Sequence, residues 1–367
     1  MSRTIESTLG ISRRILNLLV DNQIHGIKSL CCVDLNRQKF FHPPPSTATI
    51  GAGSESVAAG ASKTQTPAAS VAGTAASVME KFRLRNPTFT FKAEGVPGKW
   101  KIDCFPLADR KVICADQSGR AFLLDADSRH VATMPKLHKS KWMPISIFVP
   151  NTDADQGGGS KLYIMESVPK PEAACCTLPS DQFEAFVYHR PTDSWHCELL
   201  PPPPFEDGTY CLDTANHTWS KVSEWTLPFN GKVEYVPELK LWFGLAAESG
   251  NLAAADLSSI FTMDSQPQLV GEWKELDPPV EWDEMQNSQL VHLGSGRFCI
   301  ARFFQDTSTD FGDELIEQNF TVLTCVEAKR AHDGDHNGGE NGKVELGITM
   351  FKPRCFMSGA TDIDVVF

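Results

Sequence analysis

Residues 185–201 read AFVYHRPTDSWHCELLP: an apolar strand, a polar turn carrying Thr192 and Asp193, a second strand opening on Trp195, and a stop at Pro201. Two other stretches repeat the plan, AFLLDADSRHVATMP at 121–135 and TYCLDTANHTWSKVSEWTLP at 209–228. One register runs through all three: six residues lie between Leu124 and Val131, between Tyr188 and Trp195, and between Leu212 and Trp219. A unit that recurs this way buries its apolar face only against its neighbours. The expectation is an array of small antiparallel sheets, a β-propeller of about five to six blades.

Outward from these pairs, apolar runs of five to eight residues alternate with Gly, Pro, Asp and Asn turns from Phe82 onward. No long 3.6-residue stripe interrupts them, so the chain is expected to be all-β. The runs fall into blade-sized sets of four. One is KWKIDCFPL, KVICADQSG, AFLLDAD and HVATMP; the next is PISIFVP, KLYIMESV, FEAFVYH and WHCELLP, with a Gly-rich turn at 157–159. A later set is KVEYVPEL, LWFGLAAE, LAAADL and EWKELDPP, followed by SQLVHLGSG, RFCIARFF, FTVLTCVEA and KVELGITMF. Pro at the end of an outer strand suits an edge position, where it removes no ladder hydrogen bond. An aromatic opening such a strand fills the wedge between blades, so Tyr188, Trp195, Trp219 and Trp273 are read as packing residues.

Spacing exposes one irregularity. From Val131 to Trp195 is 64 residues and from Trp219 to Trp273 is 54, but from Trp195 to Trp219 is only 24. A four-stranded blade needs about 40 residues. PPPPFEDGTYCLDT therefore steps from the end of one blade to the third strand of the next, and that blade, incomplete near residues 202–212, is expected to lack its two inner strands.

Residues 1–42 offer the strand candidates RILNLLV, KSLCCVDL and KFF and are expected to belong to the propeller. Residues 43–80, rich in Ala, Gly, Ser, Thr and Pro, hold too few large apolar groups to offset their ordering entropy and read as a disordered loop. Residues 81–367 make the rest of the propeller.

The hairpins resemble kelch repeats, in which an aromatic residue and a Trp after six intervening residues mark the blade. Tyr188 and Trp195 match, while the glycine doublet is replaced by DQSG, SDQF and EDGT. Closer still, KWKIDCFPL, DQSGRAFLLDAD, WHCELLPPPPF, GTYCLDTANHTWSKV, LPFNGKVEYVPELKLWFGL and GRFCIARFF resemble recurring segments of a plant family expanded in grasses, a domain of unknown function with a kelch-like, galactose-oxidase-type propeller. The resemblance spans most of residues 14–350. Members of that family carry further strand sequence between the PPPPF and GTYCLDT segments, and the family implies no activity, cofactor or catalytic residue.

Composition narrows the partners. The net charge is −12, and beyond residue 42 there are 28 Lys and Arg against 43 Asp and Glu. No basic stripe of the kind that displaces counterions from a duplex is visible, so nucleic acid is not expected as a partner. No run approaches the roughly 20 apolar residues of a membrane span. The start MSRTIESTLGISRRILNLLVDN lacks a signal-peptide core; Arg3, Arg13 and Arg14 leave an organelle transit segment as the lesser reading beside a cytoplasmic or nuclear location. Eleven cysteines without a secretory signal point to a reducing compartment. The neighbours Cys31 and Cys32, like Cys175 and Cys176, would point to opposite faces of a strand.

A search for chemistry yields little. A galactose-oxidase copper site needs His and Tyr ligands, and there are four tyrosines, Tyr163, Tyr188, Tyr210 and Tyr235. Asp333, Asp335, Asn337 and Gly338 outline a calcium loop, but the closing acid, Glu345, falls one place late; His332 and His336 add nothing to it. A turn between strands is the better reading. Asp103, Asp116, Asp125, Asp213 and Asp256 could converge as catalytic carboxylates, but their positions suit turns. No cofactor, metal or catalytic residue is therefore assigned. The function expected is an intracellular protein-interaction module, with two alternatives: an enzyme for a small polar metabolite on the same scaffold, or the substrate-recognition part of a ubiquitin ligase.

Overall fold

The structure is a computed structural model and describes residues 13–22, 27–42, 79–92, 100–107, 110–151, 159–171, 180–262, 264–306, 318–330 and 346–367. Most of the 43–80 tract, the Cys175–Cys176 pair, the calcium-loop outline and most of the 157–159 turn lie outside these residues.

Every long element is a strand. The chain opens with β1 (Ile15–Asn22), β2 (Ile27–Asp34) and β3 (Phe89–Lys92). Blade II comprises β4 (Ile102–Pro106), β5 (Lys111–Asp116), β6 (Ala121–Asp125) and β7 (His130–Thr133). Blade III comprises β8 (Pro144–Val149), β9 (Lys161–Glu166), β10 (Phe183–His189) and β11 (Ser194–Leu199). A two-stranded sheet follows, β12 (Thr209–Asp213) with β13 (Thr218–Ser223). Blade IV holds β14 (Phe229–Val236), β15 (Leu241–Ala246), β16 (Leu252–Ala255) and β17 (Leu269–Trp273). Blade V holds β18 (Trp282–Gly294), β19 (Arg297–Asp306), β20 (Gln318–Arg330) and β21 (Leu346–Met350), with β22 (Arg354–Met357) also pairing β20. The last strand, β23 (Thr361–Val366), returns to β1 and completes blade I in the order β23-β1-β2-β3. The fold is a five-blade β-propeller with one extra hairpin between blades III and IV.

The recurring pairs of the sequence are cross-strand partners. Leu124 lies opposite Val131, Tyr188 opposite Trp195, and Leu212 opposite Trp219. Each pair joins the third and fourth strands of its unit, so local turn chemistry sets register. In two of these turns an Asp closes the loop by accepting backbone N–H bonds, Asp125 from Asp127 and Ser128, and Asp213 from Ala215 and Asn216. Single glycines shape the turns that enter β6 and β12. Gly119 has φ +80, and a Cβ there would meet Leu137 O at 2.6 Å; Gly208 has φ +136, and a Cβ there would meet Ser223 O at 2.5 Å.

Apolar seams join the blades. Leu16, Leu18 and Val33 of blade I pack with Cys299, Ala301 and Leu323 of blade V. Phe243 and Leu252 of blade IV meet Phe298 and Val326 of blade V. Blade I meets blade II through Leu19, Leu30, Ile102 and Cys114, and blade II meets blade III through Phe105, Ile113, Leu162 and Phe186. First strands touch one another around the ring: β4 touches β8, β14 touches β18, and β18 touches β23.

The sequence expectation for residues 39–41 needs correction. Lys39-Phe40-Phe41 is a turn, with Lys39 at φ +56, and the fourth strand of blade I is instead β3, some fifty residues on. Phe40 is apolar because it is buried under that turn, where it meets Phe82 at 5.8 Å between ring centroids. A three-residue apolar run carries no period with which to tell those cases apart.

Candidate functional site

Between β11 and β12 only nine residues intervene, and the sheet that follows has two strands where its neighbours have four. The two strands present are the outer ones, as the Leu212–Trp219 pairing shows. The expected absence of two inner strands is therefore real, and it leaves two unusual surfaces.

The first is an apolar stripe on β8. In the blade III register Ile145 lies opposite Met165, Ile147 opposite Tyr163 and Val149 opposite Lys161. Tyr163 in turn lies opposite Ala185, and Tyr163, Phe183, Ala185 and Val187 form the face that packs on Leu212 and Trp219 of the hairpin. Ile145, Ile147 and Val149 belong to that same face, but the hairpin is too short to reach them. They are 46, 57 and 38 % exposed. Trp142 and Met143, at the entry to β8, are exposed too. Most large apolar side chains exposed on a monomer are scattered; five within eight residues form a patch.

The second surface is the free edge of β12. Its backbone pairs β13 on one side, and among the described residues no strand takes the other side. An open edge with an apolar wall beside it is a template for strand addition. The far wall belongs to blade IV, where Tyr235 lies opposite Trp242 with ring centroids 5.1 Å apart. Alternation places both on the face away from Val236 and Phe243, which pack on blade V. Tyr235 is half-exposed.

The hairpin itself is firmly held at its outer end. Trp219 packs on Phe183 at 5.8 Å between ring centroids, and its indole Nε1–H donates to Pro201 O at 3.0 Å. Thr209 Oγ1 donates to Trp225 O at 2.6 Å, and the Lys161 ammonium donates to Thr214 O at 2.7 Å. The inner half is open beside a well-anchored outer half.

Other residues singled out from sequence serve structure. Tyr188 and Trp195 are half-buried, with ring centroids 5.4 Å apart, and Trp273 packs on the seam between blades IV and V. Cys31 lies in the blade I–V seam, while the Cys32 thiol turns the other way, 3.3 Å from Asn17 Oδ1. Burial pushes the Cys31 thiol up to about 11. One tyrosine meets a histidine: Tyr163 lies edge-on to the His217 ring, with centroids 6.3 Å apart. Tyr163 stacks on Phe183, the Tyr188 hydroxyl donates to Asp193, Tyr210 lies under the Lys221 ammonium, and Tyr235 pairs with Trp242.

Nor do the five aspartates make one pocket. Asp116, Asp125, Asp213 and Asp256 each bond backbone N–H groups of their own turns. Asp103, on β4, is different: burial raises its pKa, and Lys101 stands 3.0 Å away. Lys28 approaches the same region and bridges Asp21 and Asp364. Lys101 thus balances Asp103, while Asp21 and Asp364 share the single ammonium of Lys28.

One cluster escaped the sequence reading. His138 Nδ1, Glu184 Oε2 and Cys197 Sγ lie within 4.8 Å of one another, a spacing that could hold a metal ion. The donor set argues against it. Glu184 is fully buried and already accepts from His138 N at 2.9 Å, His138 Nδ1 at 2.7 Å, Lys139 N at 3.3 Å and Cys197 Sγ at 3.2 Å. The oxygen that accepts from Lys139 N, Oε1, also takes the ammonium of Lys141, itself buried. Burial alone would raise the Glu184 pKa, but the Lys141 bond and the His138 N–H hold it below the ordinary range. A cation here would face a fixed ammonium, so the cluster reads as a buried pair that pins residues 138–141 to β10. Burial and Glu184 push the Cys197 thiol up, which keeps it protonated and a poor ligand. No signal finds this in sequence, because the partners are 46 and 13 residues apart and share no motif.

Among the described residues no helix is long and apolar enough to cross a membrane. No curated protein matches the chain. Residues 13–207 and 206–355 do match one family, in two pieces that meet just before β12, where the inner strands are missing: the chain belongs to the family described as Protein of unknown function (DUF1668).

Proposed function

We propose that the protein is an intracellular protein-interaction module, cytoplasmic or nuclear, on a kelch-like propeller, and that it binds by accepting a β-hairpin of a partner into its incomplete blade. Residues 1–42 and 81–367 make one propeller domain in this reading. The observation that carries it is the coincidence of the β12 edge with the stripe of Ile145, Ile147 and Val149 on the neighbouring blade. A hairpin placed there pairs its outer strand with β12 and lays alternate apolar side chains on β8, so main-chain bonds supply affinity and the stripe supplies selectivity. Covering these half-exposed side chains contributes roughly 1 kcal/mol each, about half of what full burial of such a residue gives. The chain's net charge of −12 favours a partner whose strands are flanked by Lys or Arg.

The test is purification of the full chain from its source tissue in three forms: unaltered, Ile147→Asp, and the exposed control Val131→Asp on blade II. The unaltered chain and the control should retain a stoichiometric partner, and Ile147→Asp should lose it. Hydrogen exchange of the complex should show new protection at the amides of residues 209–213. Equal retention by Ile147→Asp, or unprotected amides at 209–213, defeats the reading.

A further inference from the structure

Far from the open blade, the turn after β2, residues 80–85 and the start of β22 enclose a groove of about 430 Å³. Among the described residues its charged lining is Arg37, Lys39, Lys81, Arg83, Arg85 and Arg354, with Glu80 the only carboxylate. This concentration of positive charge stands on a chain with 46 acidic residues against 34 basic ones. Arg85 is 3.4 Å from Asp34, and Arg354 is 3.0 Å from Glu80. Among the described residues the side chains of Arg37, Lys39, Lys81 and Arg83 have no ion-pair partner. Four exposed cations gathered on one groove raise the local positive potential.

The backbone beneath them is fixed. Gln38 clips the two walls together: its Nε2 donates to Arg83 O at 2.7 Å and its Oε1 accepts from Arg83 N at 2.9 Å. Phe82 N donates to Cys355 O, and Cys355 N donates to Glu80 O, laying residues 80–82 along β22. Phe40 and Phe82 are buried below as the anchor, and the Arg354 guanidinium sits 5.1 Å above the Phe40 ring. Asp34 accepts from Arg37 N at 3.0 Å and from two nitrogens of Arg14, which sets the turn that presents Arg37 and Lys39.

We propose that this groove is a binding site for a compact anion carrying several phosphate groups. Among the described residues Leu84 is the only apolar one in the lining, and Phe40 and Phe82 are buried, so those residues offer neither a peptide side-chain pocket nor a face for stacking a base. Size and charge instead match several phosphates held close together, each met by a guanidinium or ammonium. The cations are confined to one groove, which separates the site from the long basic track that a nucleic acid requires. This inference stands apart from the interaction at the open blade.

Calorimetric titration of the full chain at pH 7 and 0.1 M salt tests it with four probes: inositol hexakisphosphate, tripolyphosphate, inorganic phosphate, and a single-stranded 20-nucleotide RNA. One hexakisphosphate per chain should bind with a dissociation constant on the order of micromolar, at least about 100-fold tighter than inorganic phosphate. Tripolyphosphate should fall between them; if it equals the hexakisphosphate, a linear polyphosphate is the favoured source of the same chemistry. The exposed double variant Lys81→Ala/Arg83→Ala should weaken hexakisphosphate binding at least about tenfold, and Arg83→Glu should do so more strongly. Lys136→Ala with Lys240→Ala, exposed elsewhere, should leave it unchanged. The proposal is overturned by absence of hexakisphosphate binding, by undiminished binding in both groove variants, or by RNA binding as tightly and with the same sensitivity to those variants.

Discussion

Strands β4 and β8 hold the same place in adjacent blades and meet opposite fates. In β4, Ile102 and Cys104 pack toward blade I while Phe105 packs toward blade III, and all three are buried. In β8, Phe148 packs toward blade II, but Ile145, Ile147 and Val149 on the other face are exposed and meet no covering neighbour among the described residues. Both strands have the two-sided apolar composition of a strand covered on both faces. The difference comes entirely from the next unit along the chain, which has four strands after blade II and two after blade III. An inner strand is thus written for two neighbours, and losing one turns a core surface into an available one.

Substitution should expose that contrast as a large gap in stability. Phe105→Ala, cut from the sealed seam between blades II and III, is expected to cost about 3–5 kcal/mol in urea denaturation. Ile147→Ala, on the equivalent strand of the next blade, should stay within about 0.5 kcal/mol. Comparable losses at both positions would mean that the β8 face is covered after all.

Blade III also holds the buried Glu184–Lys141 pair, on the side toward the sealed seam. Lys141→Ala leaves the Glu184 carboxylate buried without its ammonium and is expected to cost about 3–5 kcal/mol, whereas Lys141→Met with Glu184→Gln, which keeps an acceptor for the His138 and Lys139 N–H groups, should restore part of it. If Lys141→Ala alone is harmless in the same denaturation assay, the pair contributes nothing to blade III.

The hairpin offers an intermediate case. Trp219→Ala removes its contact with Phe183 and the bond to Pro201 O, and should loosen residues 209–223 by about 1–3 kcal/mol in native-state hydrogen exchange. The blade IV–V seam should not change in the same experiment. If the two regions open together, the hairpin is no separate unit.

The smallest effect concerns pH in the sealed part of the ring. The Arg14 bond, opposed by burial and helped by the Arg37 N–H, lowers the Asp34 pKa from 3.8 to about 2. A depressed carboxyl stabilises the fold fully above the unfolded value and loses that contribution as pH falls from about 3.8 toward 2. Asp34→Asn should flatten this part of the acid-unfolding curve, while Asp125→Asn in an exposed turn should alter it less. Identical curves for Asp34→Asn and the unaltered chain would remove Asp34 from the account.

Much of this architecture was legible in the chain. Apolar runs of five to eight residues between turn residues marked the strands of blades II to V, and the fixed gaps from Tyr188 to Trp195 and from Leu212 to Trp219 gave cross-strand register. The 24-residue interval from Trp195 to Trp219 located the missing strands. The open site could be inferred as an absence, but its apolar wall could not, because PISIFV reads the same whether one of its faces is covered or bare.

What sequence alone determined about this protein lies along the chain: strand identity and turn chemistry, set by residues fewer than about ten apart, and the shortened unit, set by the spacing of successive repeats. Tertiary structure decided everything that joins distant segments. It carried β23 back to β1, brought His138 and Lys141 to Glu184, and gathered residues 37–39, 80–85 and 354 around one groove. Such meetings follow from ring closure and blade order, which leave no period or motif in the segments they bring together.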